Sequence, residues 1–209
     1  YLITTIIVRE IAAGTFTVAG FYERRARRIL PALTLVVSFS IASALWLMIP
    51  GELQDFAESL ISVALFVSNF QFMAETGYFA TAAELKPLLH TWSLAVEEQY
   101  YLVAPLVLVL MSRWRLRWSA LLTAALAIAS LAFAQWASRE LPDWNFFLTP
   151  SRVWELMIGA LAAFILLDGR LLLAVGGSAR QALSLAGIGL IAAAVFAYDN
   201  TLPFPSFYS

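Results

Sequence analysis

Charge-free apolar windows recur along this chain at lengths that predict helices rather than strands. The longest runs from Ile29 to Gly51, because the next charge after Arg28 is Glu52. At 23 residues it is long enough to cross a hydrocarbon core of about 30 Å as a helix. Further windows lie at 59–74, 93–111, 118–138 and 153–167, and between Arg180 and Asp199; Glu97-Glu98-Gln99 interrupts the 93–111 run and Glu155 the 153–167 run. Pro50-Gly51 marks a break after the first window, and Gly187 and Gly189 in the last suit close helix packing. A polar, irregular stretch extends from Glu75 through Lys86-Pro87. Tyr1 to Val8 is half of an apolar helix, too short to span. The pattern predicts an all-α, polytopic transmembrane helix bundle of about six apolar helical segments plus a partial N-terminal one.

Composition supports this. The chain is 61% hydrophobic and only 13% charged, with a mean hydropathy of +0.79, whereas soluble domains carry about 25% charged residues. A soluble core of this size could not hide so much apolar surface, so lipid must be part of its solvent. The net charge of −1 says little, because its distribution matters more than its sum. With no cysteine and a single histidine, disulfides, a cysteine nucleophile and a protein-only metal site are not expected. The chain opens with neither an initiator Met nor a basic leader and closes on Leu202-Pro203-Phe204-Pro205, so it is expected to be an internal piece of a longer protein.

Basic residues gather at Arg24–Arg28, at Arg113-Trp114-Arg115-Leu116-Arg117-Trp118, and more weakly at Arg170 and Arg180. The positive-inside rule would put all of them on the cytoplasmic side. Three apolar runs separate the first two clusters, and three crossings would put them on opposite sides. Either one run is re-entrant or one basic loop breaks the rule. The interrupted stretch at 75–99 is the first place to look, since irregular backbone at membrane depth needs protein or a water-filled cavity around it.

Three segments carry candidate chemistry. In the first, Arg24, Arg25, Arg27 and Arg28 precede the longest window. On a helix Arg24 and Arg28 share a face, as do Arg25 and Arg28. Two guanidinium forks on one face suit a phosphate or pyrophosphate, yet the same cluster also suits anchoring to anionic lipid. In the second, His90, Glu97 and Tyr101 fall on one face at seven- and four-residue spacing. They form either a proton-handling row or the polar start of an interfacial helix, capped by Thr91 or Ser93. In the third, Arg152 and Glu155 pair with each other or line the same cavity as Glu97. Trp114 and Trp118 fit an interfacial aromatic belt.

Taken together, Phe21-Tyr22 with Arg24-Arg25-Ala26-Arg27-Arg28-Ile29-Leu30-Pro31, the run Leu88 to Tyr101, Thr149-Pro150-Ser151-Arg152 with Glu155 and Gly159, and the closing Thr201 to Pro205 resemble the acyltransferase-3 family. These are bacterial integral-membrane O-acyltransferases that modify cell-surface glycans. The resemblance implies that residues 1–209 are part of a single transmembrane acyltransferase domain in the bacterial inner (cytoplasmic) membrane. It implies no permanently bound cofactor, an acyl-CoA donor (acetyl-CoA above all), a glycan acceptor and no nucleic-acid partner. It also implies a possible C-terminal extracytoplasmic domain absent from this chain. The family's Arg-x-x-Arg pattern, to which it attributes the coenzyme A phosphates, fits Arg24 with Arg27 or Arg25 with Arg28; the second pair is preferred. His90, Glu97 and Tyr101 are the catalytic or cavity-lining candidates, and Arg152 and Glu155 the substrate path. The family's proposed catalytic histidine belongs to a helix N-terminal to anything here. His90 should not inherit that role, and this chain alone is expected to be inactive. The competing expectations are a transporter or flippase using Glu97, Arg152 and Glu155, and a structural subunit whose arginines only anchor lipid.

Overall fold

The computed structural model describes residues 1–75, 86–169 and 176–197. Among these every regular element is a helix: α1 (Leu2–Ala12), α2 (Val18–Leu47), α3 (Pro50–Ala64), α4 (Ser68–Ala74), α5 (Thr91–Met111), α6 (Leu116–Glu140), α7 (Pro142–Phe147), α8 (Thr149–Asp168) and α9 (Gly177–Ala197). Five of these, α2, α5, α6, α8 and α9, are long and apolar enough to cross a membrane. The expected helical membrane bundle is therefore observed. The expected irregular stretch between Glu75 and Lys86, Arg170, Asp199 and the closing 201–205 loop lie outside the described residues, apart from Glu75 and Lys86 themselves, which form an ion pair.

Local chemistry sets the helix ends. The Thr17 hydroxyl accepts the Gly20 N–H at 3.2 Å and caps α2, satisfying a donor that the first turn leaves over. Pro50 opens α3, where its missing N–H costs nothing. Gly169 closes α8 in the left-handed region at φ 65°, which only glycine adopts without penalty. The arginine cluster is not a loop before the span. It lies inside α2, whose 30 residues carry the basic segment and the apolar run on one helix about 45 Å long.

The best-packed pair is α6 with α8. Ser119, Thr123, Ala127, Ser130, Ala134 and Ala137 form the buried stripe of α6. Their three- and four-residue spacing keeps small side chains on one face, letting two backbones approach in lipid, where hydrophobicity alone does not drive helices together. Trp154, Met157 and Leu161 of α8 pack against that stripe. The glycines of α9 differ from expectation: nothing lies within 4 Å of a side-chain carbon built at Gly187 or Gly189.

Two clusters fix the direction of the chain. Phe21, near the start of α2, packs with Leu108 of α5, Leu116 of α6 and Phe164 of α8. Leu33, Val36 and Ala44, further along α2, pack with Phe56, Val63, Phe72, Leu88 and Phe147. Hence α2 runs antiparallel to α5, and α5 runs parallel to α8. The start of α2 and Arg113–Arg117 lie toward the same end of the bundle, linked through the two candidate spanning helices α2 and α5, while Arg25 sits farther along, beside Glu98 of α5.

This removes the orientation conflict. The 59–74 run does not cross: it breaks where Phe66 adopts φ 54°, between α3 and α4. The 15 residues of α3 reach only about 22 Å, less than a bilayer core of about 30 Å. Because α2 ends and α5 begins beside the same cluster, α3 and α4 leave the chain at the end of the bundle where α2 brought it. The element that does not cross thus precedes the 75–99 stretch where the irregularity was expected.

Candidate active site

A cavity of about 450 Å³ opens between α1, α2, α5 and α8. Its polar wall is built from the three segments singled out in sequence: Arg25 and Arg28 from α2, Glu97, Tyr100 and Tyr101 from α5, and Glu155 from α8. Gly159 completes the α8 side. A side-chain carbon there would come 2.7 Å from the Tyr1 backbone nitrogen, so glycine lets the start of α1 close the wall. Glu97 lies 14 residues before the end of α5 at Met111, about 21 Å of helix from the basic end. The site therefore lies along the length of α5 and not at the end that carries Arg113–Arg117.

The four arginines have four different situations. Arg25 is held: its Nε lies 3.1 Å from both Glu98 oxygens and its Nη2 donates to Oε1 at 2.5 Å. Both side chains are only 14% exposed, and the guanidinium stacks 3.5 Å from the Tyr101 ring centroid. A fork–fork pair with a ring beneath it is strong and directional. Arg24 instead bridges both oxygens of Glu10 at 3.0 and 2.8 Å, joining α2 to α1. Arg27 pairs with Glu23 one turn earlier on an exposed face. Arg28 is exposed on the cavity wall and makes no hydrogen bond or ion pair among the described residues. Of the expected phosphate forks, Arg25 and Arg28 reach the cavity, while Arg24 and Arg27 are not among its lining.

His90 is not brought to the cavity. It is the residue before α5 and is exposed, about 10 Å of helical rise from Glu97. Glu97 and Tyr101 do share the wall, so two members of the expected row meet. Arg152 and Glu155 pair at 3.2 Å. Only Glu155 lines the cavity. Arg152 is buried, about 5 Å from the Trp92 and Phe146 rings, and donates from Nε to the Phe146 carbonyl at 3.3 Å. It holds Glu155 and is not itself among the residues that line the cavity.

Sequence reasoning gave no role to two residues. Glu98 is the carboxylate that holds Arg25; adjacent to Glu97, it is turned about 100° around the helix toward α2. Gln99 is the other. Its amide donates to the Phe66 carbonyl at 3.0 Å and to Asn69 Oδ1 at 2.8 Å, and its oxygen accepts the Thr149 hydroxyl. Asn69 in turn donates to the Phe147 carbonyl at 3.1 Å. One side chain of α5 therefore ties together the α3–α4 break and the α7–α8 break, whose backbone groups find no water in lipid. An amide inside an apolar helix was the available signal.

A helical membrane protein with a charged, aromatic cavity between its helices is the class that fold and site define. Within it, this chain belongs to the acyltransferase-3 family, whose acyltransferase-domain profile matches residues 2–209. It is 44% identical over 113 residues to an "Uncharacterized protein" of Haemophilus influenzae strain Rd, covering 53% of this chain and 45% of that one. It is 30% identical over 146 residues to the "Putative membrane-bound transacylase BcsY" of Komagataeibacter xylinus, covering 70% and 37%. A "Putative O-acetyltransferase" of Staphylococcus aureus strain COL is 28% identical over 173 residues, covering 79% and 28%. The chain thus spans less than half the length of these curated relatives. No solved structure matches it.

Proposed function

We propose that the full-length protein is a bacterial inner-membrane O-acyltransferase that moves an acyl group, acetyl above all, from acyl-CoA to a hydroxyl of a cell-surface glycan. One observation carries this reading: arginine, glutamate and tyrosine side chains from three distant segments share the cavity of about 450 Å³. The names of the Komagataeibacter and Staphylococcus relatives support it. In the reaction the acceptor oxygen attacks the thioester carbonyl carbon, the C–S bond breaks, and the acceptor proton ends on the departing thiol. Arg28, with its fork open to the cavity, takes a donor phosphate. Arg25, fixed by Glu98, sets the register of α2 against α5 and adds positive potential beside it. Glu97 and Glu155 accept hydrogen bonds from the incoming hydroxyls. The base is the histidine that the family resemblance assigns to its first transmembrane helix.

Lysine at position 28 keeps the charge and loses the fork. Arg28→Lys in the full-length protein is expected to raise the KM for acyl-CoA about tenfold, equivalent to about 1.4 kcal/mol, with kcat changed far less. Steady-state transfer to glycan measures this. An unchanged KM would remove Arg28 from donor binding.

A further inference from the structure

A second, smaller site lies at the basic end. We propose that it seats an anionic phospholipid, with an acyl chain in an apolar crevice and the phosphate on arginines at its rim. The crevice, about 130 Å³, lies between α1, α5, α6 and α8, with Val8, Ile11, Leu108, Met111, Leu116 and Phe164 on its walls. Ser112 and Trp114, the neighbours of Arg113, also line it, and Arg115 and Arg117 flank Leu116. Arg9 follows Val8 in the last turn of α1. Arg9, Arg113, Arg115 and Arg117 are all exposed. None has a carboxylate partner within 4 Å among the described residues; Glu10 and Glu23 pair with Arg24 and Arg27. Arg117 instead lies 5.3 Å from the Trp118 ring.

Charge complementarity selects the occupant. A zwitterionic lipid would leave these uncompensated arginines without a net counter-charge, whereas an anionic headgroup supplies one. The apolar wall beneath takes the chain that a free phosphate lacks. Each basic residue near a membrane surface favours anionic lipid, and three arginines together give an expected preference of about tenfold or more. The site is separate from the cavity that holds Arg25 and Arg28, and the proposal stands whether or not the protein transfers acyl groups.

The test is quenching of tryptophan fluorescence in the full-length protein by brominated phosphatidylglycerol or brominated phosphatidylcholine titrated into mixed micelles. The native protein should bind the glycerol lipid about tenfold or more tightly. The variant R113Q/R115Q/R117Q should lose the preference, while R139Q, at the far end of α6, should keep it. Ala12→Phe, which fills the crevice without touching charge, should weaken binding of the whole lipid and so tests the site even if the triple variant fails to fold. Equal quenching by both lipids, an unchanged preference in the triple glutamine variant, or displacement of the lipid by free coenzyme A would each overturn the assignment.

Discussion

Replacing Glu98 by alanine is expected to destabilise the full-length protein by about 3 kcal/mol, because removing one partner of a largely buried pair leaves the other charge uncompensated. The Arg25→Ala change should cost a similar amount. The double variant should cost far less than the sum, since it removes both charges at once. Function should follow stability here. Only Phe21 and Ala44 of α2 are buried, so polar clasps bear much of its attachment to α5. One is the Arg25–Glu98 pair; the other is the Tyr22 hydroxyl, which donates to the Leu102 carbonyl at 2.6 Å. Without the pair, the part of α2 that carries Arg28 loses a tie to the α5 helix that carries Glu97. Thermal denaturation in detergent, read for both single variants and the double, gives the coupling. Additive losses would mean that the two groups do not act as a pair.

Gln99→Leu is the second large effect, expected to cost about 3 kcal/mol or more. The substitution leaves the Phe66 carbonyl, the Asn69 side chain and the Thr149 hydroxyl without the partner they have now, and each such group costs about 1–3 kcal/mol when buried unmet. Gln99→Glu separates hydrogen bonding from bulk. It keeps the length and an acceptor for Thr149 but loses the donor to Phe66, so it should recover only part of the loss. Protease sensitivity at the α3–α4 break should rise with both variants. Native-like denaturation of Gln99→Leu would show that water or neighbouring groups already meet these needs.

Much of the bundle was legible because a span announces itself locally, in about 20 apolar residues without charge. The α2, α6 and α9 segments appear on that signal, and α5 and α8 follow it apart from Glu97, Glu98 and Glu155. The break at Phe66 was not legible, since no proline or glycine marks it and its open carbonyl is met by Gln99, 33 positions away. The break divides the 59–74 run into α3 and α4, both too short to span, and with it changes the count of crossings. The cavity was half legible. Spacing put Glu97 and Tyr101 on one face and paired Arg25 with Arg28, as observed. Spacing also put His90 in that row, but α5 begins only at Thr91 and the cavity does not extend two turns back. Nor could a single sequence tell which of two adjacent carboxylates turns toward the arginines; the packing of α2 on α5 decides that for Glu98.

The central claim is that the Arg25–Arg28 cavity receives the phosphorylated end of an acyl-CoA donor. A donor-bound structure of the full-length protein in lipid nanodiscs tests it most directly. The account predicts a coenzyme A phosphate within hydrogen-bonding distance of the Arg28 guanidinium, with Arg25 still on Glu98 and Tyr101. Coenzyme A phosphates held elsewhere, with Arg28 facing empty solvent, would contradict it.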